Sequence, residues 1–112
     1  MAALTLIQPT RAGVLSTGTA VTVSDTIARN VLGSRGVLLE VVNGNAAPDN
    51  MTISDASVTP SDAAAAALAP TVANGTSRIF KILPYMADPI TGLVTVTHSV
   101  TATVTCKLYP RD

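Results

Sequence analysis

The stretch Val94-Thr-Val-Thr-His-Ser-Val-Thr-Ala-Thr-Val-Thr-Cys-Lys-Leu108 decides the fold. Its even positions read Val94, Val96, His98, Val100, Ala102, Val104, Cys106 and Leu108, and its odd positions are Thr, Ser or Lys throughout. A period of two puts one face in a core and the other in water, which is the pattern of β-structure. At roughly 3.3 Å per residue a single strand of this length would run about 50 Å. A domain of this size has a radius of gyration near 13 Å, so the segment must turn back on itself. The simplest reading is a hairpin. Facing residues of an antiparallel pair point to the same side, so keeping even positions inward on both arms requires an odd loop, of about three or five residues around Ser99–Thr103.

Further strands are expected on both sides of this segment. Thr and Val supply about a quarter of the chain, and β-branched side chains favour strands. Thr19–Ser24 alternates, which sets Val21 and Val23 on one face. Gly36–Asn43 (GVLLEVVN) is apolar except for Glu40, as expected of a strand covered on both sides. Met51–Ser54 and Arg78–Leu83 are shorter candidates, the latter with Phe80 inward and Arg78 and Lys81 reaching solvent. Ala3–Gln8 reads as an edge strand or an extended arm. Turn formers separate these runs at Gly13, Asn43-Gly44-Asn45, Pro48-Asp49-Asn50, Asn74-Gly75, Pro84, Pro89 and Gly92. Gly33-Ser34-Arg35-Gly36 reads as a tight connection into a strand. Ser61–Pro70, with five consecutive alanines, is a short helix by propensity, capped by Ser61 or Asp62 and ended by Pro70.

These elements predict an all-β fold, an antiparallel β-sandwich of about seven or eight strands, with jelly-roll order among its topologies and an Ala-rich helical turn in the 55–76 connection. Residues 1–12 form an N-terminal arm or edge strand, and residues 13–112 a single domain. Such a chain can bury roughly 65% of its unfolded surface without disulfide or metal.

Composition narrows the function. Charged residues are only 12% of the chain and its seven basic and seven acidic groups cancel, so no long-range field recruits nucleic acid or an anionic membrane. No apolar run reaches membrane-spanning length. The N-terminus carries neither the basic start nor the apolar block of a secretory signal. One His and one Cys leave too few ligands for a soft-metal site, and no cofactor motif is present. Asp49 and Asp55 flank a short strand and read as turn formers. His98 and Cys106 lie on the inward row, where a hydrogen-bonded core histidine and a small buried thiol are the ordinary outcome. A hydrolase would require a solvent-open His98 beside a Ser and an Asp. No enzyme is expected.

The order of the second half resembles a group of small β-sandwich head decoration (cement) proteins of tailed bacteriophages. The matching pieces are Gly36–Gly44, Met51-Thr52-Ile53, Val72–Arg78, Pro84-Tyr85, Gly92–Ser99 and Val104–Leu108, so the likeness covers residues 36–109. Residues 61–69 depart from the family's pattern as an insertion would, and the N-terminal third matches poorly. The resemblance implies a structural virion protein on the capsid exterior, made in the host bacterial cytoplasm. It would bind the major capsid protein and cluster symmetrically with its own copies. It implies no catalytic residues, cofactor, nucleic acid or membrane. Exposure of loops and termini nominates the contacts. They are Leu4, Leu6, Gln8 and Arg11 on the arm, Ala64 and Leu68 in the Asp55–Asn74 connection, and Tyr85, Met86 and Asp88 in the Tyr85–Thr91 loop. The alternatives are a tail, neck or baseplate component, and a glycan-binding module, which the three aromatic residues Phe80, Tyr85 and Tyr109 support only weakly.

Overall fold

A computed structural model describes residues 2–15, 18–57 and 68–110. The fold is all-β. Among the described residues ten strands, β1 (Ala2–Ala3), β2 (Thr19–Ala20), β3 (Ser24–Ala28), β4 (Val37–Asn43), β5 (Asp49–Asn50), β6 (Thr52–Ile53), β7 (Thr71–Val72), β8 (Ser77–Ile82), β9 (Leu93–Thr97) and β10 (Val104–Pro110), are accompanied by a four-residue helix α1 (Arg29–Leu32) and a 3-10 turn at Pro84–Met86. One sheet has the order β1-β3-β9-β6, the facing sheet β2-β10-β4-β8, and β5 pairs with β7. The antiparallel pairs are nested: β2 with β10, β3 with β9, β4 with β8, β5 with β7. One long hairpin rolled across two sheets gives this order, which is that of a jelly roll.

The segment that decided the fold belongs to two sheets. Leu93–Thr97 pairs with β3 and β6, whereas Val104–Pro110 pairs with β2 and β4. The expected hairpin is therefore replaced by a crossover through His98–Thr103. Alternation does not distinguish the two, because strands facing each other across a sandwich also turn the same row inward. The odd-loop requirement holds only for partners in one ladder, and six residues carry the chain over the ~10 Å between sheets. Thr103 takes a positive φ of 58° to make the turn.

Val94, Val96, Ile27 and Ile53 of one sheet meet Val37, Leu39, Val41, Val104, Cys106 and Leu108 of the other, all buried. Three sequence expectations are corrected. Gly36–Asn43 is the central β4, fully buried only on its inner row, while Leu38, Glu40 and Val42 are half-buried on the outer one. Val21 is buried but Val23 is exposed, because the chain bends at Thr22–Ser24 to change sheets. Phe80 is only partly buried at the edge strand β8, where the Arg78 guanidinium lies 5.3 Å from its ring centre. A charged residue on the inward row of an edge strand also blocks pairing with a foreign strand.

Gly36 is required by the start of β4. Its φ is +87°, and a Cβ there would come within 2.1 Å of the Ile82 carbonyl oxygen. The helical turn expected over 61–69 lies, up to residue 67, outside the described residues. Leu68 is in extended pairing with Ile53. Among the described residues no helix is long and apolar enough to cross a membrane.

Candidate functional site

Strand directions sort the connections to two ends. Residues 21–23, 44–48, 73–76 and 98–103 lie at one end. Residues 29–36, 54–57 and 83–92 lie at the other.

The first end is tied by a buried polar knot. His98 and Asp49 are hydrogen-bonded, Nδ1–H donating to Asp49 Oδ2 at 2.7 Å, and His98 Nε2 stands 3.8 Å from Asp25 Oδ2. Asp49 Oδ1 also accepts from the backbone N–H groups of Ser99 (2.9 Å) and Val100 (3.4 Å). Asp25 accepts from the Thr22 N–H at 3.2 Å and from its hydroxyl at 2.5 Å. Both carboxylates are fully buried. Asn43, also buried, donates to the carbonyls of Ala47 and Val72 and accepts from the Asn45 N–H. No described buried side-chain nitrogen or oxygen lacks a partner. Burial, with the Asp25 charge adding to it, pushes the Cys106 thiol from its ordinary 9.0 up to about 11.

Asp49 and His98 reproduce two members of a nucleophilic triad, but Nε2 faces a second carboxylate instead of a hydroxyl, and the imidazole side chain is 1% exposed. A base that substrate cannot reach does no acid–base work on it. The geometry fastens three connections of the roll. Asp49, expected as a turn former, is thus a strand residue holding a histidine. Asp55 does shape a turn, accepting from the Ser57 N–H and hydroxyl.

The opposite end opens a shallow hollow of about 730 Å³, lined chiefly by Arg29, Ala56, Ser57, Pro84, Tyr85 and Pro89. Three connections are joined around it. Arg29 donates from its backbone to the Gly92 carbonyl at 2.8 Å and from Nη2 to the Asp88 carbonyl at 3.3 Å. The Ala56 N–H donates to the Met86 carbonyl at 3.2 Å. The Asp88 carboxylate accepts from the Ile90 N–H at 2.8 Å and shapes the loop tip. Tyr85, which lines the hollow, is 60% exposed, and Ile90, next in sequence to the lining residue Pro89, is 92% exposed.

The nominated contacts divide accordingly. Tyr85 and Asp88 meet at the open end with the Asp55–Ser57 segment. Met86, beside them, is buried, its thioether accepting the Leu83 N–H, and so does not face a partner. Leu4 is likewise a core residue, and Leu6 is partly buried beside Leu108, so the inner half of the arm is occupied within its own chain. Gln8 and Arg11 are exposed on the loop that follows. Leu68 is 46% exposed on a sheet edge, away from the hollow, and Ala64 lies outside the described residues. Sequence reading missed Arg29, which carries no local signal, and Ile90, whose place between Pro89 and Gly92 marks a loop tip.

Comparison of the chain with protein-family models, curated proteins and solved structures gives no match.

Proposed function

We propose that this protein is a structural component of a virion, a decoration protein bound to the outside of a tailed-phage head through its open end. The observation that carries the reading is the exposure of two large side chains on one connection at the open end of a domain of zero net charge: Tyr85, which lines the hollow, and Ile90, which follows the lining residue Pro89. Exposed apolar residues grouped at one site mark an interaction surface, and aromatic anchors at a rim suit protein–protein contact. The knotted opposite end supplies the stiffness that a clamp between capsid subunits needs. Jelly rolls recur in viral capsids and in lectins, which is support by analogy of fold only. The sequence resemblance over residues 36–109 points the same way. Each copy would bury a modest area on the major capsid protein, and symmetric clustering would add avidity.

The test is cryo-electron microscopy of purified particles with and without the double substitution Tyr85→Ala, Ile90→Asp. Density for the chain on the head, lost in the variant while its thermal unfolding is unchanged, is the expected result. Absence of the wild-type chain from every particle overturns the reading. Copy number separates the head from a tail, neck or baseplate position, hundreds against one ring's worth.

A second reading, glycan binding for host attachment, is favoured by one observation: Tyr85 presents its ring at the edge of an open hollow that also holds Arg29 and Ser57. A glycan array probed with wild type and Tyr85→Ala decides it, since only a Tyr85-dependent signal supports that function.

A further inference from the structure

The first residues close the side of the sandwich. Ala2 and Ala3 pair in parallel with Asp25 and Thr26 of β3, and the Leu4 N–H donates to the Thr26 carbonyl at 2.9 Å. Two residues on, the strand has crossed to the other sheet: Leu6 bridges Leu108, and the Ile7 N–H donates to the Leu108 carbonyl at 2.6 Å. Leu4 is the apolar plug between, only 6% exposed. The arm thus fills a strand-shaped groove between the edge of β3 and the stretch of β10 beyond its pairing with β2.

Its tether is different in character. Gln8–Leu15 is exposed at every position, and its turn closes on itself, Gly13 N–H to the Thr10 carbonyl at 3.0 Å and Thr10 hydroxyl to the Gly13 carbonyl at 2.9 Å. A cavity of about 100 Å³ remains between the arm and β10. The chain must also reverse after Ile7 and run back past the arm, because Thr19 pairs with Cys106 while Leu6 pairs with Leu108 on that same edge.

We propose that Ala2–Ile7 is an exchangeable strand, which leaves its own groove and fills the same groove of a second copy of this chain. Every contact made in one chain is available between two, so only the tether decides. A tether this short gives the arm an effective concentration in the mM range. Exchange therefore wins near mM protein, or where copies are held within the roughly 35 Å that eleven extended residues span. The inference does not depend on the virion reading.

The experiment is light scattering and native mass spectrometry of the full chain from micromolar to about 1 mM, repeated on a variant lacking residues 9–15. The expected result is a dimer near the upper limit. In the shortened chain, whose tether no longer has the length to reverse, the midpoint should fall at least tenfold. A synthetic peptide of residues 1–8 should disperse both dimers, and the same peptide carrying Leu4→Asp should not. A folded, shortened chain that stays monomeric, or dimers indifferent to the peptide, overturn the proposal. Hydrogen exchange on the full chain keeps the question decidable should the shortened chain fail to fold. The Leu4 and Ile7 amides must open well before that of Val41 in the central ladder, and arm amides that exchange only with global unfolding overturn it equally.

Discussion

Replacing Asp49 by Ala tests whether the polar knot holds the roll together. The substitution removes the acceptor for His98 Nδ1–H and for the Ser99 and Val100 amides in a region closed to water. A buried polar group left unpaired costs about 1–3 kcal/mol, and this substitution orphans three donors at once, for a total of roughly 3–5 kcal/mol. With about 2.1 cal/mol/K of unfolding entropy per residue, 112 residues make each kcal/mol worth about 4 °C in Tm. Asp49→Ala should therefore lower Tm by roughly 12–20 °C. Calorimetry on the wild type, Asp49→Ala, His98→Ala and the double variant separates pairing from packing. In the double variant no imidazole is orphaned, so its loss should fall short of the summed single losses by about 1–3 kcal/mol. Asp55→Ala, which touches only a surface turn, should cost less than about 1 kcal/mol. Additivity in the cycle, or a loss of under about 1 kcal/mol for Asp49→Ala, would refute the claim that this end is fastened by the Asp–His contact.

Gly36→Ala should destabilise by more than about 2 kcal/mol, since the added methyl meets the Ile82 carbonyl in a backbone conformation that alanine avoids; chemical denaturation measures it. Thr103→Gly should do the opposite, gaining up to about 1 kcal/mol by relieving a β-branched residue at φ 58°, read as a higher denaturation midpoint. Cys106 should resist thiol reagents at pH 8 in the native state and react fully in denaturant, because its pKa is raised to about 11. The folded state keeps this proton after the unfolded chain has lost its own. Stability should therefore fall as pH rises from about 9 to about 11, and Cys106→Ala should remove that part of the decline.

How much of this was legible follows from the range over which each signal acts. The alternation correctly assigned inward and outward rows in Val94–His98 and Val104–Leu108, because side-chain direction is a local property of extended backbone, but not in the crossover, where Ala102 is exposed. It could not assign ladder partners, and the expected hairpin proved to be a crossover. Partner choice depends on which edges are left after all the other strands have paired, and β10 is taken by β4 on one side and by β2 and Leu6 on the other. Likewise His98 was correctly placed inward, yet nothing near it in sequence names Asp49 or Asp25. The nested pairing is what delivers both carboxylates to the histidine, so the knot is a property of topology.

The same distinction explains why the two ends differ. At the knotted end, connections of three to six residues leave little slack, and short connections between stacked sheets bring backbone amides inside, where they need acceptors. Buried Asp25, Asp49 and Asn43 supply those acceptors, which accounts for a chain so sparing of charge placing two carboxylates in its interior. At the open end the connections are longer and satisfy their own backbone, Asp88 and Asp55 accepting from amides and the Arg29 guanidinium donating to the Asp88 carbonyl. Their apolar side chains are then free to face outward without leaving polar backbone unpaired behind them. Substitutions at Tyr85 or Ile90 should consequently alter binding without altering stability, whereas substitutions in the knot should do the reverse. A variant pair that violated this separation would show that the two ends are energetically coupled through the body of the sandwich.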